Sequence, residues 1–406
     1  MTVAPTSRDL AALLAARDRS EYRCPGDAYP INRAVHLARL AAGYDACRVC
    51  PHRGDVPGSR ANDRGDGTAD VVPSDNLDRL YVAGQGVRGR YLNDLSRGML
   101  ASWADRIGRQ WRAAVPATGA EGSLRVVAGH DARPSSPDLF AGVVSGLRRA
   151  GCSVCDVGLV PQPVAWESMV EHQAHAVLYV TGAGCELSWN GLDVTERGPR
   201  PWTARDWQDL ASCEDPPESG SGDRLGDLIP LRQPTHDAFH RLAEGLHGVR
   251  PLRLILAIPH APQRRLAEQL FAERLLRVEW IECGLRRLDA YVETDPDLGR
   301  LRETTIASGA DFGLAIHDDG FGVTLFDETG AAVAVDRLAA LLGAERFDDP
   351  ARGNQLLLPR AGQMSGPSET LSAGSGFTCD GLAVAVRLIA RLSESDRPLS
   401  SRLALT

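Results

Sequence analysis

The run Val126-Val127-Ala128-Gly129-His130-Asp131-Ala132-Arg133-Pro134-Ser135-Ser136-Pro137 decides the fold. Leu124–Gly129 is a short apolar strand, and it breaks into a polar, proline-containing turn. Ser136–Ala150 then reads as a helix, with Leu139, Val143 and Leu147 on one face and Gly151 closing its end. The pattern continues through a strand at Val154–Leu159, a helix at Val164–His172 and a strand at Ala176–Thr181. Strands that alternate with helices predict a mainly parallel sheet covered on both faces.

Downstream, the polar stretch 214–224 (EDPPESGSGDR) marks a boundary, after which the alternation restarts. It reads as strand Leu252–Ile258, helix Gln263–Leu275, strand Val278–Cys283, helix Leu298–Ser308 and strand Phe312–Ile316. A hairpin with arms Val323–Phe326 and Ala331–Val335 is expected next. Helices are then expected at Val335–Leu342 and Gly381–Leu392, separated by a Gly/Pro/Ser-rich loop over 349–378. Upstream, residues 53–78 have linker composition, and residues 1–52 form a small module with helices at Ser7–Arg17 and Asn32–Ala42. The expected organisation is a module (1–52), a linker (53–78), two α/β units (79–213 and 225–335) and a less regular portion (336–406).

Composition narrows the chemistry. Of 406 residues, 43% are hydrophobic, ample for ordinary cores, but only 5% are aromatic, so aliphatic residues must do most of the packing. All 45 basic residues are arginine, which excludes lysine Schiff bases and Walker-type or kinase-type phosphate lysines. A net charge of −8 argues against broad binding to nucleic acid or acidic membranes. No apolar run reaches membrane-spanning length and the N-terminus lacks a secretory leader pattern, so no membrane partner is expected. Nine cysteines, odd in number and irregular in spacing, argue against a disulfide framework. A reducing cytoplasm is the expected location.

The 126–137 run resembles the opening of the alpha-D-phosphohexomutase superfamily, the phosphoglucomutases and phosphomannomutases. Ala150-Gly151-Cys152 and Asp156-Val157-Gly158-Leu159-Val160-Pro161-Gln162-Pro163 continue the likeness, and Gly86-Val87-Arg88-Gly89 resembles the family's S-G-I-R-G segment. Gly309-Ala310-Asp311-Phe312-Gly313-Leu314-Ala315 fits the strand before the family's metal loop. Thr378-Cys379-Asp380-Gly381 and Arg397-Pro398-Leu399-Ser400 resemble the close of its third domain. The resemblance, spanning about residues 80 to 400, implies tandem α/β/α domains with mixed, mainly parallel sheets. It also implies an exchange of phosphate between the 1- and 6-positions of a hexose through a phosphoserine and Mg²⁺.

The chemistry-bearing motifs depart from that pattern. The family's nucleophile loop reads T-A-S-H-N-P, followed by an aromatic and N-G. Here the run is Thr181-Gly182-Ala183-Gly184-Cys185-Glu186-Leu187-Ser188-Trp189-Asn190-Gly191, which puts Ala183 at the phosphoserine position. Cys185 and Ser188 are the candidate substitutes, but a shift of even about 1 Å costs on the order of a hundredfold in rate. The D-G-D-G-D-R metal loop becomes His317-Asp318-Asp319-Gly320-Phe321-Gly322, leaving His317 and Asp319 as a degenerate magnesium loop. Mg²⁺ prefers hard oxygen ligands, so its site is expected to be lost. The sugar-contacting G-E-x-S-G segment survives only as an echo around Glu369, the third domain reads as truncated and the fourth as absent.

Three further sets stand out. Cys24, Cys47, Cys50 and His52 have a C-x-x-C spacing plus two outlying donors, a candidate zinc site whose alternative is reduced structural thiols. Cys152 and Cys155 repeat the C-x-x-C spacing at a strand entry, where they should face opposite sides as ordinary thiols. Arg88 and Arg133 are candidate phosphosugar ligands, with structural salt bridges as the alternative. The expectation is a catalytically degenerate phosphohexomutase-like protein that binds a phosphosugar ligand or a protein partner. The alternative is an active mutase with an altered site.

Overall fold

In the computed structural model, residues 86–114, 124–197, 200–212, 225–272, 275–284, 295–343, 345–349, 353–359 and 380–404 are described, with short pieces at 21–23, 81–83 and 377–378 and single positions between 31 and 46. The helices expected at Ser7–Arg17 and Asn32–Ala42 fall wholly or mostly outside these residues. So do Cys24, Cys47, Cys50, His52 and Glu369.

A short antiparallel pair, β1 (Glu21–Tyr22) with β2 (Ile31–Asn32), comes first. The first α/β unit runs through β3 (Tyr81–Ala83), β4 (Gly86–Arg90), α1 (Arg97–Ala114), β5 (Arg125–His130), α2 (Ser136–Arg149), β6 (Ser153–Leu159), α3 (Gln162–Glu171), β7 (Ala176–Val180), β8 (Trp189–Glu196), β9 (Arg200–Pro201) and α4 (Ala204–Ser212). Its eight-stranded sheet has the order β10-β6-β5-β7-β8-β4-β3, with β9 added on β8. Here β10 (Leu228–Pro230) arrives from beyond the polar break and pairs parallel to β6. The β10-β6-β5-β7 half is parallel, and β8, β4 and β3 extend it antiparallel.

Period-two alternation along the strands divides the core. Val126, Ala128, Leu178 and Val180 face α1 and α2, where they meet Leu100, Ile107, Leu139, Val143 and Leu147. Val127, Val157, Val177 and Tyr179 face the other way, toward Val164, Trp166 and Met169 of α3. Each such leucine or valine, fully buried, contributes roughly 1.5–3 kcal/mol against its exposed state. Cys152 and Cys155 fall on opposite sides of this division, and both are buried and unbridged.

The second unit contains α5 (Pro234–Glu244), β11 (Leu252–Ala257), α6 (Ala261–Phe271), β12 (Leu276–Ile281), α7 (Pro296–Ser308), β13 (Phe312–Ile316) and β14 (Val323–Asp327). Its sheet order is β12-β11-β13-β14, antiparallel only at β14. The hairpin differs from the expected one. β14 pairs with β13 in front of it, and 331–335 contributes only a bridge between Phe326 and Ala332. The reason is local. The Asp327 carboxylate accepts the backbone N–H groups of Thr329 and Ala331, Gly330 turns at φ +79°, and the chain enters α8 (Val335–Leu342) before a second ladder can form.

Beyond α8, the expected 349–378 loop contains two strands. β15 (Glu345–Asp349) and β16 (Gly353–Pro359) pair antiparallel, and β17 (Phe377–Thr378) adds to β16. Gln355–Leu358 includes a three-leucine apolar run, which period reading alone cannot separate from loop or helix. Two helices close the chain, α9 (Gly381–Ser393) and α10 (Leu399–Leu403). Leu338, Leu382, Leu388 and Ile389 belong to the same apolar cluster as Leu254, Leu256 and Phe312 of the second sheet and Val127, Trp166 and Tyr179 of the first. One continuous core therefore joins the α3 side of the first unit to the second unit and the C-terminal helices. Among the described residues, no helix is long and apolar enough to cross a membrane.

Candidate functional site

Parallel strands deliver their following loops to one edge of the sheet, and here three loops converge: 131–135 after β5, 181–188 after β7 and 317–322 after β13. Asp131 organises the first two. One carboxylate oxygen accepts the backbone N–H of Arg133 at 3.0 Å and the Ser136 hydroxyl. The other accepts the Thr181 hydroxyl at 3.0 Å, the Gly182 N–H at 3.1 Å and Arg133 Nε at 3.2 Å. Burial pushes this carboxyl up, but the Arg133 guanidinium and the Ser136 hydroxyl outweigh it, so its pKa lies below the usual value. Asn190 anchors the far end of the loop by donating to the hydroxyls of Ser135 and Ser136.

Arg133 spends its remaining donors on the loop backbone. Nη2 reaches the carbonyls of Gly182 at 2.6 Å and Cys185 at 2.8 Å, and Nη1 reaches those of Glu186 at 2.5 Å and Trp189 at 3.1 Å. Arg88 is equally enclosed, at 2% exposure. It pairs with Asp193 at 2.5 Å and donates to the Ala183 carbonyl at 3.0 Å, while Gln162 donates to the other Asp193 oxygen. Both arginines thus hold the 182–189 backbone in place. Arg88 forms the salt bridge weighed as an alternative in the sequence, and Arg133 adds a second, with Asp131.

Within this cradle Ala183 is 6% exposed, with its N–H on the Thr181 hydroxyl. Cys185 is buried two residues on, and burial raises its thiol pKa despite the nearby Arg88 and Arg133. Ser188 lies at the half-buried end of the loop, where its carbonyl accepts Tyr91 N–H. The Gly184 N–H points out of the first unit and donates to the Asp318 carboxylate at 2.7 Å.

The 317–322 loop is a tight turn between β13 and β14. One Asp319 carboxylate oxygen accepts the N–H groups of Phe321 and Gly322, and His317 Nε2 lies 3.0 Å from the Thr324 hydroxyl. Phe321 is 2% exposed, with its ring 5.0 Å from the Trp166 ring of α3. Gly320 sits at φ +82°, and a Cβ there would lie 2.9 Å from Pro163. A Cβ at position 322 would lie 2.3 Å from His317 Nδ1, so the histidine ring occupies the space beside that glycine. Below the loop, Gln263 donates to the Gly320 carbonyl and to Asp380, and the Gly381 N–H also reaches Gly320.

His260, at the start of α6, is buried against the same convergence. Burial depresses its pKa to about 4, with Asp131, Arg133 and Asp319 among its charged neighbours. Sequence reading overlooked His260 and Asp318. Asp318 carried a signal, since it replaces a glycine of the D-G-D-G-D-R pattern. His260 carried a weaker one, a histidine directly after an apolar strand, as at His130.

Residues 79–208 match the family model described as phosphoglucomutase/phosphomannomutase, alpha/beta/alpha domain I. This stretch is similar to the first domain of the phosphohexomutases. Sequence similarity to phosphohexomutases extends beyond it. A phosphomannomutase/phosphoglucomutase of Pseudomonas aeruginosa is 25% identical over 244 residues, covering 56% of this chain and 49% of that protein. A phosphoglucosamine mutase of Streptomyces coelicolor is 32% identical over 241 residues, covering 53% of this chain and 50% of that protein. The chain thus spans about half the length of these curated relatives. Among solved structures, a phosphoglucomutase/phosphomannomutase family protein from Burkholderia thailandensis aligns over 80% of this chain and 79% of its own, with a TM-score of 0.59 at 20% identity. A phosphomannomutase structure from Thermus thermophilus aligns over 80% and 83%, with a TM-score of 0.56 at 14% identity. At these identities the structures show a shared fold. The first unit, which contains the domain I-like stretch, contributes the loops around Asp131, Arg133 and Ala183, and the second unit brings Asp318 and Phe321 against them.

Proposed function

We propose that the chain is a phosphohexomutase-type scaffold that has given up mutase chemistry and acts by binding, with a phosphosugar or a protein partner as its ligand. The observation that carries this reading is the state of the 181–188 loop. The position aligned with the family's phosphoserine is Ala183, which is buried and lacks a nucleophilic atom, and the next N–H is tied to Asp318. Cys185 is a poor substitute, because burial keeps its thiol protonated and the thiolate is the nucleophile.

The donor set of the 317–322 loop also supports it. Mg²⁺ asks for several hard oxygens in octahedral array. At the three ligand positions of the family loop this chain offers one imidazole and one carboxylate, an Asp319 oxygen already accepts two turn N–H groups, and Phe321 fills the third position with a phenyl ring packed on Trp166, while the neighbouring Asp318 carboxylate accepts the Gly184 N–H. These residues do not fit the ion. Cys24, Cys47, Cys50 and His52 remain the proposed zinc ligands, and the cytoplasm the proposed location.

A coupled assay tests the reading, using purified chain, glucose and mannose 1-phosphates, the bisphosphate activator and Mg²⁺, with Ala183→Ser in parallel. No turnover above blank by either protein is expected. Clear turnover by the wild-type chain overturns the proposal. Ligand binding is read separately by thermal unfolding, where a phosphosugar at 100 times its Kd adds about 2.7 kcal/mol of stability.

A further inference from the structure

Away from the three loops, α5 carries His236 and His240 one helical turn apart on its exposed face. Their rings meet edge to face at 4.3 Å, and the two Nε2 atoms are 3.0 Å apart. We propose that His236 and His240 form a bidentate surface site for a divalent transition ion of tetragonal preference, Cu(II) or Ni(II).

The separation carries the argument. Two imidazole nitrogens at about 2.0–2.1 Å from one ion lie about 2.9 Å apart in cis positions at a right angle, and about 3.3 Å apart at a tetrahedral angle. The observed 3.0 Å is close to the right-angle value, the geometry that Cu(II) and Ni(II) adopt with nitrogen and oxygen donors. The pair therefore needs little rearrangement to chelate.

The mount is firm on its buried side. Ala238 and Leu242 face the core, and Arg241 pairs with Glu167 and Glu171 of α3. The binding face is thus held while both imidazoles stay open to solvent. Without metal, one Nε2–H donates to the other ring's lone pair. Binding requires both Nε2 lone pairs, so the donating ring moves its proton to Nδ1 and none is released overall. For His236 that nitrogen lies 3.8 Å from the Asp237 carboxylate, too far for a direct hydrogen bond, but the negative charge there favours a proton on Nδ1, the metal-ready tautomer. Among the described residues, no group of three or more His, Cys, Asp or Glu forms a metal site. Water or an external donor fills the other positions, so affinity comes from the two-imidazole chelate.

Residue-level footprinting on the full chain tests this. The protein is titrated with Ni(II), and separately with Cu(II), then treated with diethyl pyrocarbonate, and each histidine's modification is read by peptide mass spectrometry. His236 and His240 are expected to become protected together, over one concentration range, while His172 and His247 stay unchanged. In His240→Gln, protection of His236 should require at least tenfold more metal. Both sites are solvent-exposed, so glutamine is expected to leave folding intact, which circular dichroism checks. Protection of His236 at the same metal concentration in His240→Gln, or no joint protection in the wild type, overturns the proposal. Because the readout is local, metal taken up by cysteines elsewhere does not affect it.

Discussion

The Gly184 N–H donates to the Asp318 carboxylate at 2.7 Å, joining two loops that lie 134 residues apart in the chain. Asp318 is 5% exposed, so this contact crosses between the two α/β units out of water. It lies beside the tilted Phe321–Trp166 ring contact and the Gly320–Pro163 approach, and the three together hold the 317–322 loop against the first unit.

Asp318→Ala removes the acceptor and leaves a buried N–H unpaired, an expected cost of about 1–3 kcal/mol. Asp318→Asn keeps an acceptor oxygen and should cost less. Urea midpoints of the two variants check this, and equal, near-zero shifts would show that the contact does not couple the units.

Phe321→Asp restores, in sequence, a carboxylate of the family's metal loop. In this structure it deletes a ring packed on Trp166 and buries a charge. The loss should be at least about 3 kcal/mol, typical of buried Phe truncation before any charge penalty. A variant as stable as wild type, with or without Mg²⁺, would show that this ring is not in the core.

Thiol reactivity should follow burial. Burial pushes Cys152 up to about 12 and raises Cys155 and Cys185, whereas Cys283 is half-buried. With iodoacetamide at pH 8, Cys283 should be alkylated first of these four, and the others should react quickly only in denaturant. Fast native-state labelling of Cys185 would reopen it as a nucleophile.

Two buried groups set opposing pH slopes. Folded His260 titrates at about 4 and unfolded histidine near 6.5, so between these values the unfolded chain binds more protons and stability falls as pH drops. Asp380 caps α9 through Leu382 N–H, and burial pushes it up to about 7 from about 3.8. Between those values the folded chain keeps a proton that the unfolded chain has released, so stability falls as pH rises. His260→Gln should remove the acid-side loss, and Asp380→Asn should remove the loss toward neutral pH. Denaturant midpoints from pH 4 to 7.5 read both. An unchanged slope in either variant means that its group is not the one titrating.

The sequence by itself determined the alternation of strands and helices, because that rests on local periodicity and on turn residues such as Pro134, Gly151 and Gly309. Its resemblance to the family's nucleophile and metal-loop motifs also located Ala183 and the 317–322 loop. Tertiary structure alone decided the partners. Arg88 and Arg133 read equally well as ligand donors or as salt bridges until their donors were seen on Asp193, Asp131 and the carbonyls of 182–189. Asp318 and His260 acquired roles only when loops distant in sequence were brought together, and the β13–β14 pairing overrode a hairpin expected one strand later. Hydrogen bonds and burial depend on where distant segments meet, and short-range pattern carries almost no information about that.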